Sequence, residues 1–180
     1  METLGGQLLI AGPKLWDPNF RRSIVLIGHH DEAGAVGVVR NRVTEISVLE
    51  AVPPLAALVD PDEPVYIGGP LQPQAAVVVA DFERPDRAEV IALGSIGFLP
   101  EEADPDEIGG LRRARVFAGH AGWGAGQLER ELEEGSWIVE PARADDVFTS
   151  DPERLWSDVL RRKGPVYDLL RMMPMDPSAN

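Results

Sequence analysis

Brief runs of apolar and β-branched residues, each closed off by Gly, Pro, Asp or Asn, recur along the chain at 7–11, 23–28, 35–40, 65–67, 75–80, 89–93, 115–118 and 137–140. Runs punctuated in this way predict short strands. Residues 75–80 are apolar on both faces, which suits a central strand better than an edge. The polar stretch His29-His30-Asp31-Glu32-Ala33-Gly34 joins two of these runs and predicts a hairpin.

Helical spacing is rarer. Ser47 followed by Glu50 reads as a capping box, and Pro53-Pro54 must reset that helix within a turn or two. Residues 127–134 place Leu128 and Leu132 on one face and stop at Gly135. Asp151-Pro152 predicts an N-cap and first helical residue. Leu155, Trp156, Val159 and Leu160 then form an apolar face, and Arg161-Arg162-Lys163 lie where positive charge suits the helix dipole before Gly164. A final helix over 166–173 would align Val166, Leu169, Leu170 and Met173, with Pro174 as its stop. Residues 60–64 and 101–107 are acidic and predict solvated loops. No repeat or long linker divides residues 1–180, so a single α+β domain is expected.

A hydrophobic content of 44% with 26% charged residues argues against wholesale disorder. Thirty acidic against 17 basic residues give a formal charge of −13, a field that repels nucleic-acid backbones. No helix-turn-helix with a basic second helix can be read, so sequence-specific DNA binding is not expected. The absence of cysteine excludes disulfides, thiolate metal sites and a Cys nucleophile. Without a basic leader or an apolar run long enough to cross a bilayer, the expected location is the cytoplasm, away from membranes.

Candidate chemistry concentrates in two places. If the hairpin turns near Glu32-Ala33, Ser23 falls opposite Arg42 and Arg22 opposite Val43. Arg21, Arg22, Arg40 and Arg42 then gather at its open end beside Asn41. Guanidiniums so crowded require carboxylates, with Asp17, Glu45 and Glu50 nearest in sequence, or a bound anion. The second place is Gly119–Gln127, where glycines surround His120 and Trp123 between a strand and a helix. It lacks both the P-loop ending and the third glycine of a dinucleotide fingerprint, so it either cradles an anion on backbone N–H groups or folds Trp123 against the sheet. We expect the two places to face each other across one pocket, with Trp123 as an apolar wall and Asn41 and Gln127 as neutral hydrogen-bonding groups.

Other chemistry is less specific. Adjacent residues of an extended chain point to opposite sides, so His29 and His30 cannot easily share a metal ion, and none is expected. Ser23, Ser95 or Ser136 with His30 or His120 could be written as a hydrolase triad, but no Gly-x-Ser-x-Gly elbow supports one.

Several separated blocks carry a family resemblance: Gly6-Gln7-Leu8-Leu9-Ile10-Ala11-Gly12-Pro13, Asp17-Pro18-Asn19-Phe20-Arg21-Arg22-Ser23, and Gly34 to Val39 with Asn41-Arg42. Tyr66-Ile67-Gly68-Gly69-Pro70, the Gly119–Glu129 stretch, and Trp137, Phe148 and Trp156 continue it. In this order and spacing the blocks resemble the AlgH/YqgE family of small bacterial proteins. The resemblance implies a branched mixed β-sheet containing a small closed barrel, surrounded by helices. Some members are labelled transcriptional regulators, and the family supplies no agreed catalytic residues to carry over. The chain departs from it at Arg40, usually apolar, at Val43, usually Pro, and at His120, usually Tyr. The resulting expectation is a non-catalytic binding or regulatory domain without cofactor, recognising an anionic ligand or protein partner through Arg21, Arg22, Asn41, Arg42, His120, Trp123 and Gln127. A small hydrolase of esters or phosphoesters is the alternative.

Overall fold

The computed structural model describes residues 2–173. The strands are β1 (Gln7–Ala11), β2 (Ile24–Asp31), β3 (Gly34–Val39), β4 (Val43–Ser47), β5 (Pro64–Ile67), β6 (Leu71–Phe82), β7 (Val90–Leu93), β8 (Ile96–Phe98), β9 (Leu111–Gly124) and β10 (Trp137–Pro141). They join as β10-β1-β2-β3-β9-β6-β8-β7, with β5 branching off β9 and carrying β4. All neighbours are antiparallel except β5 and β9, which run parallel. The architecture is therefore α+β on a branched, mixed sheet.

The branch depends on the length of β9. Its first part pairs with β6 and its last part, Ala121–Gly124, with β3. Near the crossing, Gly68 and Gly69 of the β5–β6 connection lie against the backbone of Gly119 and His120, and a Cβ at Gly69 would collide with the His120 carbonyl. The glycines serve this close approach of backbones.

The barrel implied by the family resemblance is not formed: the sheet is open. Its terminal strands β10 and β7 do not pair. β7 comes close to β2, but the Phe98 ring packs directly on Gly28, where β2 is bulged between Ile27 and His29.

Three apolar clusters cover the sheet. Leu8, Ile10, Leu26 and Phe117 on one face meet Leu155, Trp156, Val159 and Leu160 of α4 (Leu155–Lys163). Leu9, Val25, Ile27, Trp123 and Trp137 pack beneath Leu128 of α2 (Gln127–Glu133). Val78, Phe82 and Val116 form the third cluster with Val48 of α1 (Val48–Ala51). Helix α1 starts as predicted, the Ser47 side chain accepting from the Glu50 N–H, and Pro53–Ala57 follows as a 3₁₀ turn. The Asp151 side chain makes no cap; Pro152–Arg154 is a 3₁₀ turn leading into α4.

The short α3 (Ala144–Val147) was not foreseen. The final helix is divided into α5 (Pro165–Asp168) and a 3₁₀ turn over Leu169–Met172. Its expected apolar stripe faces largely outward, Val166 being 75% and Leu169 65% exposed. Pro174, its predicted stop, lies outside the described residues. No helix among the described residues is long and apolar enough to cross a membrane.

Candidate functional site

The hairpin of β2 and β3 brings the arginines together, with one correction. Near the turn the expected register holds, His30 opposite Ala35, but the bulge at Gly28 shifts the remainder by one residue. Val25 therefore pairs with Val39, and the Arg40 N–H donates to the Ile24 carbonyl at 2.7 Å. Arg40 turns inward, leaves the cluster and is fully buried. Its guanidinium lies 4.4 Å from the Tyr66 ring centre and donates to the Val147 and Thr149 carbonyls. Burial pulls it down to about 10, only partly offset by Tyr66.

Arg21, Arg22, Asn41 and Arg42 remain together and line a cavity of about 380 Å³ with Pro18, Glu153, Trp156 and Ser157. Of the carboxylates expected to neutralise the arginines, Asp17 accepts from the Asn19 N–H and Glu50 faces Ser47, and neither these nor Glu45 pairs with Arg21, Arg22 or Arg42 among the described residues. Among the described residues, Arg21, Arg22 and Arg42 form no ion pair. Arg42 donates to the Arg21 carbonyl and Arg22 to the Met173 carbonyl, at 2.8 Å for the latter. Burial and then repulsion from Arg21 hold Arg42 below the ordinary arginine range.

Asn41 has a different role from the one expected. It is buried, and its amide is committed to backbone: Oδ1 accepts from the Ile24 N–H and Nδ2 donates to the Arg22 carbonyl, both at 2.9 Å. Arg22 has φ of 53°, a left-handed conformation unfavourable for a side chain with a Cβ. Asn41 thus helps to hold the strained residue that projects a guanidinium across the Trp156 ring, 5.0 Å away.

The arginine cavity is not lined by His120, Trp123 or Gln127; the nearest link is Phe20, beside Arg21, whose ring centre lies 6.4 Å from that of Trp123. Trp123 is only 7% exposed and packs edge-on against Trp137 at 6.0 Å. The N–H groups of both indoles reach Glu131 Oε2, at 2.6 and 3.2 Å. Gln127 accepts from the Gly124 N–H at 3.0 Å, closing the loop on itself. His120 lies within β9 opposite Leu71. Packing of Trp123 and the Gln127–Gly124 hydrogen bond give these two residues a part in folding the loop.

The hydrolase constellation is not assembled among the described residues. His30 accepts from the Leu4 N–H through Nδ1 at 3.0 Å, and its Nε2 faces Glu129 Oε1 at 2.6 Å. Ser95 donates to Asp81 at 2.6 Å, while the buried Ser23 hydroxyl has no hydrogen-bonding partner among the described residues. No serine among the described residues forms a hydrogen bond with a histidine. His29 pairs with Asp31 at 2.8 Å, so the adjacent histidines serve different partners.

Trp156, Ser157, Glu153 and Pro18 are the site residues that sequence reasoning missed. Trp156 was correctly assigned to the apolar face of a helix, but helical spacing does not reveal that this face ends at the arginine cluster.

Comparisons with known proteins agree with this architecture. A UPF0301 protein of Streptomyces coelicolor is 41% identical over 187 residues, covering 100% of this chain and 97% of its own. One from Chlorobaculum tepidum is 36% identical, covering 97% and 95%. The crystal structure of a Corynebacterium diphtheriae protein superposes with a TM-score of 0.83 at 32% identity, over 94% of this chain and 92% of its own. The solution structure of the Pseudomonas aeruginosa AlgH protein gives 0.71 at 29%, over 96% and 95%. A family model described as AlgH-like matches residues 8–168, and with these relatives spanning nearly the whole fold, the chain belongs to the AlgH-like family.

Proposed function

We propose that the protein is a non-catalytic cytoplasmic recognition domain whose arginine cavity binds an anionic group, a carboxylate or a phosphate. One observation carries this reading: three arginines line a cavity of about 380 Å³ and, among the described residues, none forms an ion pair with a carboxylate. Like charges held this close are costly unless a ligand offsets them. Arginine suits the task because its planar fork of donors matches carboxylate and phosphate oxygens. Ser157 adds a hydroxyl, and Glu153 disfavours a ligand that is anionic throughout. Sequence-specific DNA binding is not part of this function, because the chain's net charge of −13 opposes a long polyanion.

Calorimetric titration with inorganic phosphate and with acetate tests the reading. At least one should bind in low salt, with an affinity that falls as salt is added. Arg22→Gln and Arg42→Gln should each weaken binding about tenfold, the usual scale for a charged hydrogen bond. Failure of both anions to bind, or binding indifferent to both substitutions, would reject it.

A further inference from the structure

The arginine cavity has a neighbour. Glu153 also lines a second cavity of about 390 Å³, with Glu63, Tyr66, Arg115 and Asp151 among its walls. Arg42 borders the first cavity and the next residue, Val43, the second. The two spaces therefore adjoin, with Glu153 and the start of β4 between them.

Charge changes sign from one space to the other. At one end stand Arg21, Arg22 and Arg42. At the other, Arg115 is occupied: its Nε lies 2.9 Å from Glu63 Oε1, and its outer nitrogens donate to the Ala114 and Phe148 carbonyls. Arg40 is screened behind the Tyr66 ring. This leaves Asp151 to set the charge of the far rim, with Glu153 at the division between the two spaces; both are exposed and neither forms an ion pair among the described residues. A single anion would satisfy the arginine end and leave the acidic end without a counterpart.

We infer that the two spaces act as one groove that receives an extended peptide segment of a protein partner, carrying a carboxylate side chain at one end and a cationic side chain at the other. This rests on the anion-binding reading of the arginine cavity and extends it to a partner class. An extended backbone advances about 3.3 Å per residue, so an acid and a base a few residues apart can reach successive subsites. Val43, Pro64 and Pro152 offer apolar contact to the residues between. Opposite charges at the two ends fix the direction of the peptide and penalise segments of uniform sign.

The test compares calorimetric titrations of the full chain with inorganic phosphate and with two blocked peptides, Gly-Asp-Ala-Ala-Lys-Gly and Gly-Asp-Ala-Ala-Asp-Gly. The mixed-charge peptide should bind about tenfold more tightly than the diacid, a difference of about 1.4 kcal/mol. Asp151→Lys should invert that preference, and its fold should be retained because the Asp151 side chain makes no hydrogen bond among the described residues. Arg22→Gln should weaken both peptides and phosphate. Equal affinity for the two peptides, unaffected by Asp151→Lys while phosphate still binds, would refute the groove and leave the anion cavity standing. If phosphate and both peptides fail to bind, both readings fall.

Discussion

Asn41 holds the chain on both sides of Ser23: its carbonyl oxygen accepts from the Ile24 N–H and its amide nitrogen donates to the Arg22 carbonyl, each at 2.9 Å. One buried amide thereby ties the end of the β2–β3 hairpin to Arg22, a residue that lines the cavity. Asn41→Ala leaves the buried Ile24 N–H and the Arg22 carbonyl without their partner. Urea denaturation should show a loss of about 1–3 kcal/mol, and anion affinity should fall although no ligand contact has been removed. An unchanged denaturation midpoint would show that the two bonds contribute little.

Arg22 supplies a separate test of strain. Arg22→Ala and Arg22→Gly remove the same side-chain contacts, but only glycine adopts φ of 53° without crowding its Cβ. The glycine variant should be the more stable of the two by about 1 kcal/mol. If alanine is equal or better, the left-handed backbone stores no strain.

Arg40 is a buried charge in a largely apolar place, with its Nη1 unpartnered among the described residues. Apolar replacement of buried ionic groups is often neutral or stabilising. Arg40→Met should therefore match or exceed the parent in thermal and urea denaturation, despite the donors lost to Val147 and Thr149. A loss beyond about 1 kcal/mol would mean that those two carbonyl contacts outweigh the cost of burying the charge.

The His30–Glu129 contact predicts a pH effect of defined sign. The hydrogen bond from His30 holds Glu129 below its usual 4.5. The unfolded chain then takes up its proton first as pH falls, so the contribution is present at neutral pH, declines below about 4.5 and is gone once the folded carboxylate is protonated. Melting temperatures of the parent and Glu129→Gln should converge over that acid range. A constant gap between them would remove this carboxylate from the pH dependence.

Legibility in the sequence followed the strength of local signals. β1 was read to its observed bounds because a continuous apolar run ends at Gly12-Pro13. β4 was missed because its mostly exposed residues lack alternation and only Val43 and Ser47 register with β5. β9 was cut short because glycines at 119–124 resemble a loop, although here they allow neighbouring backbones to approach. Hairpin geometry brought Arg21, Arg22 and Arg42 together. A single bulge at Gly28 sent Arg40 into the core, a displacement that no local pattern announces. The joining of the arginines to Trp156 and Ser157 depends on long-range packing, as does the burial of Trp123 against Phe20 and Trp137.

The branching of β9 imposes an order on synthesis. Its partners β3, β5 and β6 all leave the ribosome before it. β1 must also wait for β10, with Ala11 facing Trp137. A nascent chain ending before residue 111 therefore carries apolar strands whose hydrogen-bonding edges have no partner, the condition in which strands associate wrongly. Vectorial folding of this protein cannot proceed as the independent closure of an N-terminal half: the decisive step falls late, when one strand arrives and joins both parts of the sheet.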